Sequence, residues 1–354
     1  MITKSITKAL TIKEVQMIKV IDIANKCGVS TATVSKALHN SKELKPETIA
    51  FICKTAKEMG YIPNASARSL KLKKTYSIGI LFVDKTSSGL RHEYFSSILD
   101  ALKVEAEKSG YDVTFISQNV TNEHMTYLEH ARYRNVDGVV IASVDFNDPQ
   151  VIELVKSEVP TVTIDYVYNN STAIMSNNVD GLESLVKYAA SKGHKKIAFI
   201  HGEETDVTSK RLAGFYKAME ELKLKVNPDY VKDGLYHDPR VSGQETKKLL
   251  SLDDRPTCII YPDDISLIGG ETAIQQAGLK IPDDISVMGY DGVNISRILR
   301  PIVTTYRQNS DELGKLAVQN LIERIENPST FIPKIVAVEG CVQEGETVKD
   351  LTIK

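Results

Sequence analysis

The chain has 354 residues, 42% of them hydrophobic and 25% charged, with a net charge of −2. That is enough chain for two or three domains with buried cores, in the composition range of a water-soluble fold. No apolar run approaches the roughly 18 residues of a membrane span. The four cysteines, Cys27, Cys53, Cys258 and Cys341, are far apart. Their spacing argues against a zinc site or a disulfide framework and fits a reducing cytoplasm.

The charge is unevenly spread. From Met1 to Lys74 there are fourteen Lys and Arg against five acids, a net +9, which leaves −11 for the rest of the chain. A basic head on an acidic body points to a polyanionic partner for the head alone. Residues 1–16 carry Lys4, Lys8 and Lys13 without a continuous apolar stretch, a poor export signal. They read as a leader, either disordered or a product of an upstream start.

Three helices follow in residues 17–62. Val20, Ile23, Ala24 and Cys27 mark the first, and Gly28 can end it in a left-handed conformation. Ser30 is placed to cap a second helix, Thr31 to Leu38, buried through Val34, Ala37 and Leu38. Pro46 starts a third, which runs to Gly60. Helix, glycine turn, helix and bracing helix is the helix-turn-helix pattern, whose second helix enters the DNA major groove. Thr31, Ala32 and Lys36 would face base edges, while Ser30, Thr33, Ser35 and Thr48 carry hydroxyls for phosphates. A purely structural three-helix bundle is the plainer alternative, but it does not account for the +9.

The segment PNASARSLKLKK, from Pro63, has one large apolar residue, Leu70, in a short basic stretch that is too short to be a stable isolated helix. The motifs GVSTATVSKAL, GYIPNASARSL and IGILF together closely resemble the start of a LacI-family, or lactose-repressor-like, transcription factor. That resemblance implies that residues 63–74 form a hinge helix ordered on operator DNA. Leu70 would be its minor-groove wedge, with Asn64 and Arg68 at the backbone. Lys36 stands where the family commonly has arginine, and His39 where it has asparagine. The half-site read with His39 and Lys36 is therefore expected to differ from the usual one.

From residue 75 to 354 the pattern alternates. Strand-like runs occur at SIGILFV, DVTFIS, GVVIAS, TVTID, KIAFIHG, TCIIYP and SVMGYD, with amphipathic helices between several of them. The fold class is α/β, with two subdomains of parallel sheet, and ligands then collect beyond the C-terminal strand ends. Ser143, Asp165, Asp263, Asp264 and Asp291 stand there. RLAGFYKAM, YPDDISLIGG and ISVMGYDG also resemble the family's core, a periplasmic-binding-protein-like pair of subdomains. The resemblance implies that Asp165, Arg211, Asp263 and Asp291 line an effector cleft, with Tyr94, Phe95 and Tyr236 as aromatic walls. Strand-end acids can instead be helix caps: Asp264 precedes a helix and Asp291 precedes a turn.

No Gly-x-Ser-x-Gly, P-loop, Gly-x-Gly-x-x-Gly or His-Glu-x-x-His motif is present, so no catalytic residue, cofactor or metal ligand is assigned. The resulting expectation is a cytoplasmic DNA-binding regulator, a repressor, homodimeric on double-stranded operator DNA and not membrane-bound. A sugar or sugar phosphate would control it, with a purine corepressor as the alternative. A transport receptor or glycosidase fits less well.

Overall fold

The computed structural model describes residues 18–62, 74–83, 89–120 and 123–353. They fall into two compact units, divided between Thr75 and Tyr76. Asn64, Arg68 and Leu70, and the loop of residues 84–88, lie outside the described residues.

In the first unit, α1 (Val20–Cys27), α2 (Thr31–Leu38) and α3 (Pro46–Glu58) close on Ile23, Ala24, Val34, Ala37, Ile52 and Ala56. Gly28 ends α1 at φ 68°, where any side chain would be strained. This sharp exit lets Val29 pack inward and leaves Ser30 extended, its Oγ accepting from the Thr33 N–H at 3.1 Å. The cap thus fixes where α2 begins, and so which residues its outer face presents.

The second unit has two six-stranded sheets. The strands of the first are β1 (Ser77–Phe82), β2 (Asp112–Ile116), β3 (Gly138–Ser143), β4 (Thr161–Ile164), β5 (Thr172–Ser176) and a late strand, Ile335–Val338. All its pairings are parallel, with β1 between β2 and β3. Because strand side chains alternate, Ile78, Ile80 and Val140 face one way, toward Ile98, Leu102, Leu313 and Leu321. Leu81, Val139 and Ile141 face the other way, toward Leu128, Val151 and Leu154.

The second sheet contains β6 (Ile197–His201), β7 (Val231–Asp233), β8 (Cys258–Ile260), β9 (Ser286–Asp291) and β10 (Thr304–Arg307). Its last strand, Cys341–Gln343, is antiparallel to β10. Five of these twelve strands were not anticipated: β5, β7, β10 and the two late ones. Three of them, β7, Ile335–Val338 and Cys341–Gln343, lie at sheet edges, where an incomplete apolar environment leaves a weaker sequence pattern.

The chain crosses between the two lobes three times, near Asn177, Gln308 and Glu339. Asn177 joins two of these crossovers. Its N–H donates to Val338 O at 3.1 Å, and its Nδ2 to Glu339 Oε1 at 2.8 Å. A short, tied set of crossovers confines relative motion of the lobes to a few backbone torsions. No described helix is long and apolar enough to cross a membrane.

Candidate functional site

The head presents its polar residues outward. Thr31, Ala32, Lys36 and His39 are exposed, while Thr33, Ser35 and Thr48 are half-buried. Ser30 is exposed and already occupied as the helix cap, with its Oγ 2.9 Å from Thr33 Oγ1. His39 Nδ1 lies 2.6 Å from Ser35 O, which folds the ring back onto the end of α2. Lys36 Nζ pairs with Glu43 Oε2 at 2.5 Å.

In the second unit a cavity of about 300 Å³ opens between the C-terminal ends of the two sheets. Tyr94, Phe95, Ser143, Asp165, Arg211, Tyr236 and Asp291 all line it. Asp263 does not. It is 1% exposed and caps the helix Asp264–Gln276, accepting from the Ser266 N–H at 2.7 Å. Its other oxygen accepts from the His237 N–H at 2.8 Å, so it positions a cavity residue from behind. Asp264 is also internal, accepting from Thr305 Oγ1 and the Val293 N–H. The strand-end pattern placed Asp263 in the cleft, but the demand of a buried helix start for a cap prevails.

Asp165, just past β4, and Asp291, the last residue of β9, have φ of 57° and 94°, in the left-handed region that aspartate tolerates better than most residues. These turns aim both carboxylates into the cavity. Asp165 accepts from the Ser176 N–H at 2.6 Å, and Tyr94 Oη lies 3.3 Å from its Oδ2. Burial raises the Asp165 carboxyl above the usual carboxylate range, against the backbone bond from Ser176. Asp291 accepts from Gln308 Nε2 at 2.7 Å, and burial pushes its carboxyl up to about 6 despite Arg211 nearby. Each of these groups holds its charge at a cost, and a bound donor offsets that cost.

Arg211 is 4% exposed on the helix Asp206–Glu221. Its Nε donates to Asn178 Oδ1 at 2.9 Å and one terminal nitrogen to Pro262 O at 2.8 Å. The other terminal nitrogen is 3.8 Å from Asp291 Oδ1, and the guanidinium lies 3.6 Å from the Tyr290 ring centre. Gly214 in the same RLAGF run makes this reach possible: a Cβ there would lie 2.1 Å from Val179 O. The missing side chain lets the helix approach the start of the helix Asn178–Ser191.

Several lining residues escaped the sequence reading. Phe146 and Tyr166 stack at 4.5 Å with an interplanar angle of 1°, and Tyr166 directly follows Asp165. Extending the strand-end rule by a few residues would have found both. His92 and His237, one from each lobe, place their rings 3.6 Å apart at the cavity wall. Gln308 also lines it, from the crossover after β10, a strand the sequence did not reveal. Asp145, Glu203, Glu204 and Asp206 stand around the cavity as well, so carboxylates outnumber the single guanidinium. Among the described residues, no group of three His, Cys, Asp or Glu side chains is arranged to hold a metal.

Residues 19–64 match the model of the lacI family of bacterial regulatory proteins, and residues 186–348 match a periplasmic binding protein-like domain. The chain is 33% identical to the HTH-type transcriptional repressor PurR of Pasteurella multocida, over 87% of this chain and 92% of that protein. It is also 33% identical to PurR of Mannheimia succiniciproducens, over 86% and 91% of the two chains. In three dimensions it is similar to a lac repressor dimer bound to operator and the anti-inducer ONPF, at 24% identity. The TM-score is 0.80, covering 94% of this chain and all of that one. A LacI family regulator of Enterococcus faecium, with bound ribose, superposes with a TM-score of 0.66 at 22% identity over 78% and 99% of the chains.

Proposed function

The chain belongs to the LacI family of bacterial regulatory proteins, and on that premise we propose that α2 reads the operator while an uncharged ring compound in the cavity sets operator affinity. The protein is a DNA-binding, ligand-regulated transcriptional repressor, and its relatives are repressors rather than enzymes. The observation that carries the effector class is the charge of the cavity. Asp165 and Asp291 project into it, four more carboxylates stand around it, and Arg211 is already engaged with Asn178 and Pro262. A phosphate would meet mainly carboxylates. Hydroxyl or N–H donors would satisfy the same oxygens, and Phe95, Phe146 and Tyr166 offer ring faces.

An unphosphorylated sugar and a purine base both meet these requirements. The similarity to repressors named PurR supports the purine base, and the acceptor-rich lining suits sugar hydroxyls. Thermal-shift screening of sugars, sugar phosphates and purines separates them: a ligand at 100 times its Kd adds about 2.7 kcal/mol of stability. Neutral compounds are expected to give the shift. A larger shift from a sugar phosphate than from its parent sugar would overturn the charge argument.

The proposed working form is a cytoplasmic C2 dimer on a pseudo-palindromic operator, with Leu70 as the minor-groove wedge and Asn64 and Arg68 at the DNA backbone. Light scattering is expected to report a dimer at micromolar concentration, and a stable tetramer would refute this.

A further inference from the structure

Lys36 is the one exposed cation on α2, and it does not stand alone. Its ammonium meets Glu43 Oε2 at 2.5 Å, with the two side chains 49% and 68% exposed. Glu43 lies beyond α2, on a turn fastened to the end of that helix. Ser41 N–H donates to Lys36 O at 3.0 Å, and Leu44 N–H to Ser41 O at 3.2 Å. Glu43 N–H reaches Ser41 Oγ at 3.4 Å, and Leu44 packs on the core of the head. The carboxylate is therefore carried by an anchored turn.

The other acids among the described head residues serve the helices that carry them. Asp22 accepts from the Lys19 N–H at 2.7 Å, Glu47 sits in the first turn of α3, and Glu58 pairs with Lys54 at 3.9 Å. Glu43 is the acid directed at the outer face of α2, in a segment whose net charge is strongly positive.

We infer that Glu43 is a specificity-determining residue, which holds the Lys36 ammonium for a base edge and repels the DNA backbone from it. The inference rests on the proposed role of α2 as the reading helix. An unrestrained lysine is a flexible point charge that binds any phosphate, and such contacts carry no sequence information. A carboxylate beside it turns the lone charge into a dipole and so cancels much of its pull on phosphates within a Debye length, the range that salt leaves unscreened. The ammonium has three donors, so pairing with Glu43 leaves others for guanine N7 or O6. Glu43 can also accept from cytosine N4–H₂ next to that guanine. Against phosphate it offers only repulsion, so it lowers affinity for the wrong sequence more than for the right one.

The test uses the full-length protein with Glu43→Gln and Lys36→Ala. An operator duplex selected by the wild type from a random library is compared with a scrambled duplex, by fluorescence anisotropy across a salt series. Glu43→Gln is expected to bind the scrambled duplex several-fold tighter, with a log–log salt slope steeper by about one per head. Operator affinity changes less, so the specificity ratio falls. An equal change on both duplexes, or none, overturns the role of Glu43. Lys36→Ala separates the two levels of the argument. If it relaxes preference at one operator position while Glu43→Gln leaves the ratio intact, only the inference about Glu43 fails. If Lys36→Ala weakens all sequences alike, the reading of α2 fails as well.

Discussion

Lys36 and Arg211 are both cations assigned to recognition, yet they sit in opposite solvents. The Lys36 side chain is 49% exposed, with one carboxylate partner on a surface turn. Arg211 is 4% exposed, held by a side-chain amide and a backbone carbonyl and seated on the Tyr290 ring. Water screens the first, so its energy is small, exchangeable and salt-dependent. The second is fixed before any ligand arrives, and removing it strands groups that have no water to turn to. The head can therefore gather affinity from many weak contacts. The core depends on a few, each of which is hard to replace.

The largest effect that follows is at Arg211. Arg211→Ala is expected to abolish the effector-induced thermal shift and to destabilise the second unit by about 3–5 kcal/mol, as for a broken buried ion pair. Denaturant unfolding with and without effector measures both, and Arg211→Lys, which keeps the charge but loses the planar fork, should lose the effector response with a smaller loss of stability. An unchanged effector response in either variant would break the contrast between the regions.

At Lys36 the expected effect is about 1–3 kcal/mol of discrimination at one operator position, with little change in folding. Competition binding against single-base operator variants reads it directly. A uniform loss across all variants would make Lys36 a phosphate contact.

The pH dependence of the cavity comes next. The Asp291 carboxyl is pushed up to about 6 by burial, from an ordinary value of 3.8. A raised carboxyl contributes stability that is fully present below the ordinary value and is lost as pH rises through the folded one. From pH 5 to 7.5 this group should therefore cost the empty protein about 1–1.5 kcal/mol, and Asp291→Asn should remove that slope. Unfolding at the two pH values checks it: a mutant with the wild-type slope would mean that Asp291 is not the titrating group.

The smallest effect is at Ser30. Its Oγ accepts the Thr33 N–H, so Ser30→Ala should destabilise the head by about 1 kcal/mol and leave the second unit untouched. Helical melting of the head and of the second unit, followed separately by hydrogen exchange, distinguishes them. A change confined to the second unit would contradict the assignment.

The helices of the head and the seven strong strands were legible because their signals are local. Gly28 supplies the left-handed stop, Ser30 the cap and Pro46 the helix start, each acting within a few residues. Continuous apolar runs revealed strands such as β1 and β3, whose side chains divide between two core faces. Through these local signals, the basic charge of residues 1–74 and the motifs of head and core, the sequence alone determined a helix-turn-helix head followed by an α/β core. Which strand-end acids meet in one cavity was decided only by the tertiary structure. Asp263 and Asp291 look alike in sequence, but one is consumed by capping a buried helix and the other turns into the cleft at φ 94°. His92 and His237 are 145 positions apart, and Gln308 comes from a crossover, so no local pattern links them. Spacing encodes which backbone hydrogen bonds form nearby; only the packing of two separately built sheets determines which distant side chains share a wall.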